Sequence, residues 1–194
     1  MPAMNTSLPV AYFDTLYAGS PDPWSFETSP YEQAKYAATL AALPHQRYGR
    51  ALEIGCSIGV LTERLAARCD ALVAMEPAAA ALERARQRCR CLPQIDFLLA
   101  SAPDDWPPGT FDLILLSEVV YYLAASDVSR LAACVTQSLR PGAHVELVHW
   151  VRETDYPLSG DEAAELFIAA TAGTLTLMAQ QRTEDYRLDL LMAA

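Results

Sequence analysis

Residues 52–59, LEIGCSIG (Leu52 to Gly59), decide the fold. Apolar residues run up to Gly55, a second glycine follows at Gly59, and a helical apolar pattern starts immediately after it. A strand that ends in glycine and opens a helix brings a ligand to the carboxyl edge of a parallel sheet, and glycine lets backbone and ligand approach closely. Three ligand classes compete for such a turn. A phosphate loop needs a lysine after its last glycine, where this chain has Val60-Leu61. A dinucleotide fingerprint needs a middle glycine, where this chain has Ser57. The pattern left is an acidic residue followed by two spaced glycines: Glu53, Gly55 and Gly59. Glu76 lies 21 residues beyond Gly55, at the end of the next apolar run. A carboxylate there accepts hydrogen bonds from ribose hydroxyls, so the pair of signals points to an adenosine group without a pyrophosphate. The plainer reading of Glu76-Pro77 is a solvated helix start.

Outward from this turn, short β-type runs alternate with helical patterns. The runs 51–55, 71–76, 95–100, 111–117 and 144–151 predict strands, and their lack of polar alternation predicts burial on both faces. Helical patterns lie near 59–68, 78–90, 126–139 and 160–171. Repeated strand–helix units imply right-handed crossovers and a parallel sheet. The tail LTLMAQQRTEDYRLDLLM holds two β-like runs around a polar turn, which predicts an antiparallel pair at the sheet edge. The expected class is α/β: a Rossmann-like, doubly wound, mostly parallel seven-stranded sheet with an antiparallel last strand and an N-terminal helical extension.

One domain over 1–194 follows from the length and from an apolar fraction of 52%. Residues 46–194 form the expected core. Residues 1–45 form an extension too small for a core of its own, rich in aromatics and turn formers and then a lid helix. That helix starts at Ser29-Pro30 with Glu32 completing a capping box, and Pro44 stops it. The net charge of -10 argues against a nucleic-acid partner, whose binders carry basic faces. The arginines Arg84, Arg86, Arg88 and Arg90 then form the solvated face of a helix. The longest apolar run, FDLILLSEVVYYLAA, is 15 residues long and carries Asp112 and Glu118, so no membrane span is expected. MPAMNTSLPV lacks the layout of a secretory signal, and five cysteines are an odd number, so reduced thiols and a cytoplasmic location are expected. Cys89 and Cys91 have no partners that complete a zinc site, so no metal is expected.

With Glu76 and the later Ser117-Glu118-Val119, the turn resembles that of class I S-adenosylmethionine-dependent methyltransferases, a likeness that covers nearly the whole chain. More narrowly, DPWSFETSPYEQAKYAATLAALP, FDLILLSEVVYYL and LVHWVRETDYPLSGDEA resemble the nodulation protein S family, whose members N-methylate a glucosamine unit of a chito-oligosaccharide. The resemblance implies S-adenosyl-L-methionine as cofactor and a small-molecule acceptor, an amino sugar or oligosaccharide, in a monomer or homodimer. It gives Glu53 the methionine amino group and sets Gly55, Cys56, Ser57 and Gly59 beneath methionine and ribose. Glu76 takes the ribose hydroxyls, and Pro77 lies near the adenine. Ser101 stands where relatives usually have an aspartate for the adenine amino group, with the Ala102 backbone beside it. Ser117, Glu118 and Val119 face the sulfonium.

Methyl transfer to an amine needs only an unprotonated nitrogen, whereas a hydroxyl acceptor needs a base within hydrogen-bond reach. Glu118, Tyr121, Tyr122 and His149 are the candidates at the strand ends; we name Glu118, Tyr122 and His149 as catalytic. His149 is either a base or a satisfied edge residue, and Tyr121-Tyr122 either pack beneath a lid or touch the acceptor. Trp24, fixed between prolines, either covers the sulfonium or plugs the sheet. Tyr31 and Lys35 share a helix face, and with residues 152–160 they make a candidate lid. The competing readings are O-methylation of another metabolite, a nicotinamide-dependent oxidoreductase, and a cofactor-binding relative without turnover.

Overall fold

Gly55, at φ +76°, ends the first core strand, and Gly59, at φ +81°, precedes the next helix. The computed structural model describes residues 6–194; the first five residues of the expected extension lie outside the described residues. In chain order the elements are α1 (Val10–Gly19), α2 (Pro30–Ala42), β1 (Tyr48–Ile54), α3 (Val60–Ala66), β2 (Cys69–Glu76), α4 (Ala79–Arg88) and β3 (Ile95–Leu99). They continue with β4 (Phe111–Ser117), a 3-10 turn (Val120–Tyr122), α5 (Ala125–Gln137), β5 (Leu139–Trp150), α6 (Gly160–Ala170), β6 (Leu175–Arg182) and β7 (Tyr186–Ala193). The strands form one seven-stranded mixed sheet in the order β3-β2-β1-β4-β5-β7-β6. β1, β2 and β3 run parallel, as do β4 and β5. β7 is antiparallel to β5, and β6 is antiparallel to β7. This is the expected doubly wound sheet with its antiparallel last strand.

The chain divides into two compact units, Pro9–Ser101 and Ala102–Ala194, the latter joined by the described residues up to Leu8. In the first, α3 and α4 cover β2, and α4 also covers β3. Cys56, Ala74, Leu82 and Ala85 form a buried cluster there, with Ile95 and Phe97 packed against it. Burying a leucine of this kind stabilises by roughly 1.5–3 kcal/mol. α2 begins as its residues dictate: the Ser29 hydroxyl accepts the Glu32 N–H at 3.3 Å, with Pro30 in the first turn. α1 is the element the turn-rich reading of the extension did not resolve. Its ten residues lie between Pro9 and the Gly19-Ser20-Pro21 break and contain neither proline nor an internal glycine.

In the second unit the central residues of β4, Leu113 to Leu116, are fully buried. α6 packs on β5 and β7, and it opens with a full capping box between Ser159 and Glu162. Gly160 begins α6 against the end of β5, where an added Cβ would lie 2.0 Å from the Trp150 carbonyl oxygen. β7 carries a buried charge cluster. The Arg187 guanidinium donates to both oxygens of fully buried Asp189, at 2.8 and 2.9 Å, and reaches Asp161 at 3.2 Å and Glu165 at 3.0 Å.

Burial on both faces fails at the two sheet edges. Leu99 of β3 is 58% exposed, and β6 is buried only at Leu175, leaving Leu177 and Met178 in solvent. An edge strand has one neighbour and incomplete helix cover, which its apolar run alone does not reveal. β5 also begins earlier than expected, at Leu139, because a register shift opposite Phe111–Leu113 accommodates Arg140-Pro141-Gly142 inside the strand. Among the described residues no helix is long and apolar enough to cross a membrane.

Candidate functional site

In the first unit the chain leaves β1 and folds over the end of β2. The N–H groups of Gly55 and Cys56 both donate to the Met75 carbonyl, at 2.8 and 2.9 Å. Ser57 then takes a left-handed backbone, φ +51°, and donates its N–H to Glu76 Oε2 at 2.9 Å. Glu76 Oε1 accepts the Ala78 N–H at 3.0 Å, so one carboxylate ties the glycine turn to the start of α4. Glu76 is buried, and burial pushes its carboxyl up to about 7 against the pull of those two amides. Glu53 is buried beside it. Burial again pushes the group up to about 7, with the Thr62 hydroxyl opposing and the Glu76 charge adding. Neither Glu53 Oε2 nor Thr62 Oγ1 makes a hydrogen bond of normal geometry. A buried carboxylate oxygen without a donor is a receptor for one, and the ammonium of an amino acid moiety fits it.

The remaining predicted residues of this unit fall into distinct places. Gly59 serves packing as much as ligand approach: a Cβ there would lie 2.9 Å from Ala85 Cα at the helix–helix contact. Cys56 points into the buried cluster, and burial pushes its thiol up, so only its backbone lines the turn. Pro77 and Ser101 are half-buried, at the ends of β2 and β3. Trp24 is half-buried in the extension, stacked on Phe26 at 5.4 Å and edge-on to Tyr17 at 5.9 Å. Lys35 is buried, paired with Glu32 at 3.0 Å and lying 5.2 Å over the Tyr31 ring, as their shared face implied.

Two residues of this unit escaped the sequence reading. Tyr17, on α1, shares a hydrogen bond of 2.5 Å with the Ser57 hydroxyl. Arg88, placed among solvated arginines, instead donates to the Ile58 carbonyl at 3.0 Å and pairs with Glu27. The alternating arginines offered no signal that one of them turns inward. Tyr17 sat in a stretch read as turns.

The second unit builds a different constellation at the ends of β4 and β5. Ser117 closes β4, half-buried, and Glu118 follows with a left-handed backbone at φ +58°. Glu118 Oε2 accepts the Tyr121 hydroxyl at 2.7 Å and the Trp150 N–H at 2.9 Å. His149 is fully buried, and its Nε2 accepts the Val120 N–H at 3.2 Å, which puts the neutral ring's proton on Nδ1. That geometry makes His149 a latch on the 3-10 turn. Tyr121 lies edge-on to Tyr122 at 4.6 Å and stacks on Tyr156 at 5.2 Å, and Tyr122 meets Tyr156 edge-on at 4.8 Å. Burial, with the Glu118 charge behind it, pushes the Tyr121 hydroxyl well up; burial and the neighbouring tyrosine do the same at Tyr122. The segment 152–160, expected as part of a lid, is pinned within this unit. Arg152 pairs with Asp185 at 2.5 Å, and the Leu158 N–H donates to the Tyr121 carbonyl. Ala102 is half-buried at the start of the link to β4. Among the described residues no group of three or more His, Cys, Asp or Glu side chains is arranged to hold a metal.

Comparison with known proteins agrees with the geometry. Nodulation protein S of Rhizobium tropici is 32% identical over 128 residues, 64% of this chain and 53% of that protein. Nodulation protein S of Bradyrhizobium diazoefficiens is 36% identical over 117 residues, 59% of this chain and 54% of that protein. The chain thus spans about half the length of the curated relatives it matches. A crystal structure from Pseudomonas syringae, assigned to the methyltransferases, is 37% identical with a TM-score of 0.74, over 84% of this chain and 98% of that one. The N-methyltransferase NodS of Bradyrhizobium japonicum WM9, solved with S-adenosyl-L-homocysteine, superposes with a TM-score of 0.78 over 95% of this chain and 98% of its own; at 22% identity it speaks for the fold. The family profile described as Nodulation protein S (NodS) matches residues 17–144, and the chain belongs to that family.

Proposed function

We propose that the chain is an S-adenosyl-L-methionine-dependent methyltransferase that N-methylates an amino sugar, with a deacetylated chito-oligosaccharide as the preferred acceptor class. The observation that carries this reading is the glycine turn: a left-handed Ser57 held by Glu76, beside a buried Glu53 whose Oε2 has no donor. A nucleoside bearing an ammonium and two ribose hydroxyls matches both carboxylates, whereas a pyrophosphate would face two acidic groups. NodS of B. japonicum WM9, solved with S-adenosyl-L-homocysteine, supports the same assignment.

When bound, S-adenosyl-L-methionine supplies the electrophilic methyl group and departs as a neutral thioether. The protein's part is to align the acceptor and exclude water, and such alignment is worth roughly 7–11 kcal/mol of barrier. Glu53 would receive the ammonium, Glu76 the ribose hydroxyls, and Ser101 with the Ala102 backbone the adenine edge. Trp24, Pro77 and Ser117 complete the cofactor-binding set. Glu118 and Tyr122 are assigned to the acceptor, and we read His149 as holding the turn that carries them.

Transfer to nitrogen is favoured over transfer to oxygen by the state of the possible bases. His149 Nε2 is engaged by an amide, Glu118 Oε2 holds two donors, and the tyrosine hydroxyls are pushed up. An amine needs none of them as a base. We treat 1–194 as one functional domain with the extension at 1–45, and we place its work in the cytoplasm, where five free thiols stay reduced.

Titration calorimetry with S-adenosyl-L-homocysteine and with NAD tests the cofactor: the first should bind and the second should not. Labelled-methyl transfer to deacetylated chito-oligosaccharides, compared with simple amines and with hydroxyl acceptors, tests the acceptor class. Transfer to hydroxyls alone would overturn the nitrogen assignment.

A further inference from the structure

The glycine turn is gripped at two consecutive residues by side chains that come from, or answer to, the N-terminal extension. At Ser57 the grip is the Tyr17 hydroxyl, at 2.5 Å from the serine Oγ. At Ile58 it is Arg88, whose Nε donates to the carbonyl at 3.0 Å while its guanidinium pairs with Glu27 and lies 3.7 Å from Glu63. Ser57 needs such support, because φ +51° is a region that residues with side chains seldom occupy. The extension between the two grips is itself firmly built. The Asp22 carboxylate accepts the N–H groups of Phe26 and Glu27, at 2.8 and 3.0 Å, and the Gln33 amide donates to the carbonyls of the same two residues. Trp24 stacks on Phe26 and meets the Tyr17 ring, which joins α1 to this loop.

We propose that Tyr17 and Arg88 are positioning residues, and that residues 10–29 form a strap whose attachment to Ser57 and Ile58 sets the affinity of the turn for the adenosyl ligand. The inference rests on the reading of that turn as the S-adenosyl-L-methionine site. Tyr17 need not touch the ligand; it acts by keeping Ser57 where its N–H meets Glu76.

The test is calorimetry with S-adenosyl-L-homocysteine at 25 °C on the full chain, comparing the unmodified protein with Tyr17→Phe, Ser57→Ala, the double variant and Glu27→Gln. Loss of one buried hydrogen bond predicts that Tyr17→Phe and Ser57→Ala each weaken binding by about three- to tenfold. Because the two act through one contact, the double variant should be no weaker than the worse single. Glu27 is half-exposed and its replacement leaves the core untouched; about a two- to fivefold loss is expected from it. A merely structural role would lower the melting temperature and leave the affinity of the folded protein unchanged. Unaltered affinity in Tyr17→Phe and Glu27→Gln overturns the strap alone, as does a double variant whose loss is the product of the singles. Failure of the unmodified chain to bind overturns the reading of the turn and the strap together.

Discussion

Two glutamates at strand ends show how differently the two units use the same device. Glu76, at the end of β2, accepts the amides of left-handed Ser57 and of Ala78, and Glu118, just beyond β4 and itself left-handed, accepts the amide of Trp150. Around Glu76 the neighbours are a second buried carboxylate and a donorless oxygen. Around Glu118 they are tyrosine rings and a buried imidazole: the carboxylate accepts the Tyr121 hydroxyl, and the imidazole accepts the Val120 amide and lies edge-on to Tyr121. On the proposed reading the first region is completed by a ligand carrying donors and positive charge. The second is dominated by aromatic rings and gathers the ends of β4 and β5 through Glu118 and His149.

That contrast can be broken by substitution, and the largest effect belongs to the second region. Gly160→Ala forces a Cβ to within 2.0 Å of the Trp150 carbonyl oxygen. We expect a loss of about 3 kcal/mol, a fall of roughly 6–12 °C in melting temperature, with little change in ligand affinity below the transition. Glu76→Ala removes the carboxylate that gathers Ser57 and Ala78. Calorimetry should show S-adenosyl-L-homocysteine binding about 30- to 100-fold weaker, the range for charged hydrogen bonds. Equal affinity would erase the distinction between the regions.

His149→Ala strands the Val120 amide. It should cost about 2 kcal/mol of stability in a denaturant melt. If the acceptor is an amine, turnover should fall by less than about tenfold, far short of the loss when a general base is removed. A collapse of turnover at unchanged stability would make His149 a base after all.

The smallest effect is a sharper one. Glu53 is held up to about 7 by burial, so the folded state favours its neutral form, and the stability this gives is present below the ordinary carboxylate range and lost as pH rises through 7. Glu53→Gln should therefore raise the melting temperature at pH 8 and leave it nearly unchanged at pH 4. A ligand ammonium favours the ionised form. Affinity for S-adenosyl-L-homocysteine should thus climb between pH 5.5 and 7.5, with proton release visible in buffers of different ionisation enthalpy. A flat profile would detach Glu53 from the ligand.

Much of this was legible before any coordinates. Gly55, Gly59 and Glu76 are punctuation whose physics is local, and the strands around them are continuous apolar runs. Other features depend on tertiary placement. Tyr17 owes its role to the folding of α1 onto a turn 40 residues away. Arg88 differs from Arg84, Arg86 and Arg90 only in what lies opposite it. The exposure of Leu99 and of β6 follows from strand order, which no single run encodes. His149 reads in the sequence as either a base or a satisfied edge residue, and the amide its Nε2 accepts, that of Val120, lies 29 residues away.

Arg187 carries a consequence for how this sequence can change. Its guanidinium is nearly sealed from water among Asp161, Glu165 and Asp189. Removing Asp189 alone would leave the guanidinium to the more exposed Asp161 and Glu165, whereas exchanging the cation and its buried partner together for well-packed hydrocarbon can be nearly neutral. Mutational drift at Arg187 or Asp189 is therefore felt by the whole cluster, so the last hairpin restricts its own sequence as well as fastening the fold.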